Sequence, residues 1–101
     1  MTKVIFASVS DFDKQPTAFV IKAGKMKNQI VITRRGKPVG LMRKVGARDT
    51  GRTEPMTNLI NHMHELLSSV EKGRGQIIIT KNNEPIVVLK RISSKAFSIK
   101  E

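Results

Sequence analysis

The chain repeats itself at a spacing of 47 residues. Residues 30–40 read IVITRRGKPVG and residues 77–87 read IIITKNNEPIV, without a gap. Ile30 falls on Ile77, Ile32 on Ile79, Thr33 on Thr80 and Pro38 on Pro85, while Val31 and Val39 fall on Ile78 and Ile86. The same spacing carries Phe12, Phe19, Val20 and Ala23 onto Leu59, Leu66, Leu67 and Val70, and Ser10 onto Thr57. The upstream positions recur at helical spacing, and the downstream run is rich in β-branched residues. Two unrelated patterns therefore share one register. Two copies are too few for a solenoid. They predict a pseudo-symmetric pair, the within-chain analogue of a two-fold dimer.

Local patterning assigns the elements. Lys3–Ala7 reads as a short strand. Ser10 or Asp13 then caps a helix over about residues 11–24. Pro16 interrupts that helix, because it lacks an N–H and clashes with the preceding turn. Either the helix begins near Pro16 or two short pieces meet there, and Gly24 ends it. Gln29–Thr33 and Pro38–Val45 form a hairpin around Arg34-Arg35-Gly36-Lys37. Residues 46–55 (GARDTGRTEP) read as a linker. In the second unit Thr57 caps a helix over about residues 58–72, with Leu59, Ile60, Met63, Leu66, Leu67 and Val70 as its buried stripe. Gln76–Thr80 and Pro85–Ile92 form a second hairpin around Lys81-Asn82-Asn83-Glu84, whose asparagines tolerate positive φ. The leading strand has no counterpart here, since TGRTE is not strand-like, and residues 93–101 form a short tail. The expectation is one compact α+β domain over residues 1–101. It comprises a basic unit (1–49) and a diverged unit (50–101), two helix-plus-hairpin units packed as a pseudo-dimer with an antiparallel sheet.

Composition narrows the function. Lys and Arg outnumber Asp and Glu by 19 to 8, a formal net charge of +11 on 101 residues. Solubility alone needs a net charge of only about 2–8 on a small domain. The surplus points to a polyanion, with DNA or RNA first and an anionic membrane surface or acidic protein behind them. The charge is uneven. Residues 1–49 hold eleven Lys/Arg against three Asp, whereas residues 50–101 hold eight against five Glu. The absence of cysteine excludes disulfides and thiolate metal sites. No apolar run is long enough for a membrane span or a signal peptide, which points to the cytoplasm.

Catalytic and metal chemistry find little support. His62 and His64 are two residues apart and so lie on different helix faces, unlike the i, i+4 pair of a helical zinc site. No Ser/His/Asp grouping, phosphate-binding glycine loop or paired carboxylate stands out. No enzyme activity, cofactor or metal is expected. The methionines, including Met56 and Met63, read as core filler.

Over residues 3–45 the order KVIFASVSDF, helix, IVITRRGKPVGLM resembles the Phd/YefM family of antitoxins. Residues 57–92 resemble the same module. The resemblance implies a dimerising α+β domain that binds operator DNA, together with a C-terminal extension that wraps a toxin. Here a second module stands where the family has that extension, and Ser93–Glu101 is short. By the resemblance, the turn residues Arg34, Arg35 and Lys37 carry DNA contacts, and Lys14 on the first helix joins them. Arg34 and Arg35 are suited to phosphate, and one could bond a guanine edge in two places. Gly36 lets the backbone approach closely. Lys22, Lys25 and Lys27 add backbone contacts.

The leading expectation is a DNA-binding regulator of the antitoxin type acting on double-stranded DNA, as a monomeric pseudo-dimer or a homodimer. The alternative is a small protein-interaction inhibitor that captures a toxin or host enzyme whose own surface is acidic. A general nucleic-acid coat fits less well, because single-strand platforms need aromatic residues and this chain has four Phe and no Trp or Tyr.

Overall fold

β-branched residues and turn chemistry dictate the structure of the two hairpins. In the computed structural model, which describes residues 3–25 and 28–92, β2 (Asn28–Arg34) returns through Arg35 and Gly36 as β3 (Lys37–Lys44). β5 (Ile77–Lys81) returns through Asn82 and Asn83 as β6 (Glu84–Lys90). Both central residues of each turn have positive φ, 55° and 80° in the first and 53° and 66° in the second. Turns of this kind match the twist of the flanking strands. Glycine and asparagine adopt them readily. Arginine at Arg35 costs about 1–2 kcal/mol.

Each hairpin is preceded by a strand and a helical crossover. β1 (Lys3–Ser8) leads into α1 (Val9–Lys14) and α2 (Pro16–Ala23), and β4 (Arg52–Pro55) leads into α3 (Met56–Glu71). The six strands form one sheet in the order β1-β2-β3-β6-β5-β4. The sheet is mixed, not antiparallel as expected. β1 lies parallel to β2 and β4 parallel to β5, because a helical crossover returns the chain in its original direction. The inner pairs are antiparallel. The reading of residues 46–55 as linker is also corrected. Arg52–Pro55 is the leading strand that TGRTE seemed to lack. At a sheet edge, backbone pairing with Ile77–Thr80 suffices, and apolar side chains are not required.

Pairing registers recur at the 47-residue spacing. Ile5 faces Ile30 as Arg52 faces Ile77, and Ile30 faces Met42 as Ile77 faces Leu89. Both hairpins shift register at the same point, after Ile32 and after Ile79. The halves meet where Met42 faces Leu89.

The helices share a break as well. Gln15, between α1 and α2, has φ −139° and ψ 56°, and His62, inside α3, has φ −133° and ψ 35°. These residues are again 47 apart, and Met63, not proline, follows the second break. Two short helices thus meet at Pro16, one of the two arrangements the sequence allows, and the break at His62 shows that a proline is not required for it. Pro16 takes the first position of α2, where a missing N–H is no loss. The cap of α1 is Ser8, not Ser10 or Asp13, and its Oγ accepts the Asp11 N–H at 3.0 Å. Thr57 lies inside α3, whose N-cap is Pro55.

All helices cover one face of the sheet. Ile30, Ile32, Met42, Ile77, Ile79, Val87 and Leu89 join Phe12, Val20, Leu59, Leu66, Leu67 and Val70 in one apolar core. Met63 is buried in it and Met56 lies at its margin. Volumes are traded within this core. A Cβ on Gly40 would stand 3.0 Å from Leu67 Cδ2, so the glycine makes room for the leucine. The positions 47 residues away are Val87 and Val20, two side chains of equal size, both buried.

The connection from β3 to β4 is pinned beside Arg43, which alternates with core-facing Met42. Arg43 donates to both Asp49 carboxylate oxygens, at 2.9 and 2.8 Å, and the Gly46 N–H donates to the same carboxylate at 2.6 Å. The Arg43 hydrogen bonds, then the Gly46 N–H, lower the Asp49 pKa from 3.8 to about 2. A folded-state pKa below the unfolded one adds stability above about pH 4 that disappears as pH falls through 2. Asp49→Asn should therefore cost on the order of 1 kcal/mol at pH 7, a difference that narrows as pH falls below about 4 and closes only below the folded-state pKa in denaturant titrations of both proteins. Further along, Gly51 has φ 149°, and a Cβ there would collide with the Gln76 carbonyl. Gly51→Ala should cost about 1–3 kcal/mol in the same assay.

Candidate nucleic-acid interface

The cations form two groups at opposite ends of the sheet. β2 fixes the first hairpin turn, with Arg34, Arg35 and Lys37, at its far end. α2 runs back toward the start of β2, where Asn28 Nδ2 donates to the Lys22 carbonyl at 3.0 Å and the Asn28 N–H donates to the Lys25 carbonyl at 3.3 Å. The seven residues of β2 separate the groups by roughly 20 Å. That exceeds the screening length of about 8–10 Å at ordinary salt. Lys22 and Lys25 therefore form a group separate from the turn. Lys22 Nζ instead sits 5.5 Å from the centroid of the Phe19 ring, which stacks on Phe12. Lys14 is exposed at the last position of α1. Lys27 lies outside the described residues.

At the turn, the three expected residues differ. Arg35 and Lys37 are exposed. Arg34 is half-exposed and donates from Nη1 to Glu71 Oε1 at 3.0 Å. This ion pair joins the first hairpin to the last residue of α3. It also brings second-half cations to the same end. Lys72 and Arg74 follow Glu71, and Arg91 Nη1 lies 3.7 Å from where a Cβ on Gly73 would stand. Lys72, Arg74 and Arg91 were invisible to motif reading. They become neighbours of the first turn only through the antiparallel pairing of β3 with β6.

Among the described residues only Arg34, Arg43 and Arg52 of the lysines and arginines form ion pairs. The exposed end around Arg35 and Lys37 thus keeps its positive charge. The second turn carries no net charge, with one lysine, Lys81, one carboxylate, Glu84, and Asn82 and Asn83 between them, but Lys81 and Glu84 form no ion pair. His62 and His64 do not converge. His62 Nδ1 contacts Glu65 at 3.1 Å, and among the described residues no three His, Asp or Glu side chains gather as a metal site. No helix among them is long and apolar enough to cross a membrane. No protein-family model matches the chain, and neither a curated protein nor a solved structure is significantly similar to it.

Proposed function

We propose that the protein is a DNA-binding regulator of the antitoxin type, folded as a pseudo-dimer within one chain. It grips double-stranded DNA at the end of the sheet that carries the first hairpin turn. The observation that carries this reading is Arg35. It is an exposed arginine in a left-handed conformation, at a position where the second hairpin has Asn82. Strain of this kind persists where a side chain is needed for function. Arg35 and Lys37 contact phosphates, and Lys72, Arg74 and Arg91 extend the track. Arg34, braced by Glu71, is the residue held firmly enough to read a base edge. The shared pairing registers and the common helix break at Gln15 and His62 support the pseudo-dimer. The two turns then lie at opposite ends, and only one is basic, so the DNA site need not be palindromic. Sedimentation and footprinting test this. The expected result is a monomer protecting an asymmetric site, and a symmetric footprint made by a dimer would contradict it.

One observation favours a protein partner as a second reading. β1 is an edge strand, and its Phe6 and Val4 are 63% and 41% exposed. An edge bearing apolar side chains is a template for strand addition by another chain. A toxin or host enzyme bound there would lose affinity on Phe6→Asp, whereas DNA binding would not change.

A further inference from the structure

The end of the sheet opposite the basic turn holds a cleft of about 310 Å³. Ile21, Val45 and Ile86 supply apolar wall, and Lys25, Lys44 and Lys81 line it with positive charge. Among the described residues no carboxylate lines it. The reason lies in the corresponding positions of the other half. There Lys72, Arg91 and Arg34 stand 47 residues from Lys25, Lys44 and Lys81, and Glu71 answers them by binding Arg34 at 3.0 Å. The residue that matches Glu71 is Gly24. One half thus carries its own carboxylate, and the other keeps three lysines around the place where a carboxylate would stand.

We propose that this cleft binds an apolar monocarboxylate from outside the chain, with its carboxylate taking the role that Glu71 plays in the other half and its hydrocarbon lying against Ile21, Val45 and Ile86. Ile21 is 51% exposed, so the site presents apolar surface to the ligand that water otherwise covers. The chemistry disfavours nucleotides, since among the described residues no aromatic ring lines the cleft to stack on a base. An acyl carboxylate of about eight carbons matches a volume at the lower end of ordinary ligand pockets. This site is independent of DNA binding at the other end.

Titration of the intact protein with octanoate, followed by amide NMR, tests the proposal. Octanoate should shift the amides of Ile21, Gly24, Val45 and Ile86 to saturation. Octanol, with the same chain and no charge, should bind at least roughly tenfold more weakly, as expected when a charge-assisted hydrogen bond is lost. Acetate and inorganic phosphate should produce no saturable shift there. Lys81→Gln, an exposed change, should weaken octanoate by a similar factor. Gly24→Glu supplies the missing carboxylate within the chain and should abolish binding. A Cβ at Gly24 meets its nearest atoms at 3.4–3.8 Å, so the side chain can be added without a severe clash. Equal binding of octanol and octanoate, saturable binding of phosphate, shifts confined to another surface, or full octanoate binding by Lys81→Gln would each overturn the proposal.

Discussion

Leu67→Ala should destabilise the protein by about 3–5 kcal/mol, the cost of deleting a fully buried leucine whose surroundings cannot close over the gap. Gly40, directly beneath Leu67, has no side chain with which to fill it. Domains of this size are stable by only about 5–15 kcal/mol, so the variant should melt well over 10 °C lower in calorimetry. Subtler changes at the same place probe the kinship of the halves. Gly40→Val alone crowds Leu67 and should cost about 1–3 kcal/mol. Leu67→Val alone opens space and should cost about 1 kcal/mol. The double variant reproduces the pair of valines found at Val87 and Val20. It should be more stable than the sum of the single changes allows, with a coupling on the order of 1 kcal/mol in a double-mutant cycle. Strict additivity would mean that the two halves do not share one packing solution.

Arg35→Asn should move stability and binding in opposite directions. Asparagine tolerates the left-handed conformation that Arg35 is forced to adopt, so the variant should gain about 1 kcal/mol in denaturant titration. It also removes a cation from the first turn and should weaken DNA binding, by roughly tenfold when combined with Lys37→Gln at low salt. A surface charge of no functional consequence would yield the gain in stability without the loss in affinity.

The outline of the fold is legible in the sequence because the two hairpins carry both β-branched runs and turn residues of the required kind. Ile30–Thr33 and Ile77–Thr80 could hardly be anything else. The helix stripe through Leu59, Met63, Leu66, Leu67 and Val70 is equally plain, but Ile60, which the same pattern assigns to it, is 39% exposed. What escaped are features whose cause is tertiary. Arg52–Pro55 is a strand because β5 offers it hydrogen bonds, not because its residues prefer extension. The helix break at Gln15 precedes Pro16, yet its counterpart at His62 has no proline beside it, so local sequence does not account for both. The mixed sheet follows from β4 and β1 running parallel to their partners, which local periodicity does not reveal.

The candidate site was half legible. Arg34, Arg35 and Lys37 share a turn by sequence adjacency alone. Lys22 and Lys25 carry the same charge but sit about one strand length away, roughly 20 Å. Adjacency in a charge-rich stretch says nothing about which end of a strand a residue occupies. Lys72, Arg74 and Arg91 join the turn across the seam between the halves, and Glu71 claims Arg34 across the same seam.

DNA titrations over a range of salt, comparing changes at the two ends of the sheet, test the central claim most directly. Wild-type affinity should fall steeply with salt. Arg35→Asn/Lys37→Gln should lose roughly tenfold in affinity and lower the magnitude of the salt slope by about 2, one for each phosphate contact removed. Lys25→Gln/Lys81→Gln, which removes the same charge from the opposite end, should leave both nearly unchanged. Equal losses from the two double variants, or no salt-dependent DNA binding by the wild type, would contradict the assignment of the first hairpin turn as the DNA-binding end.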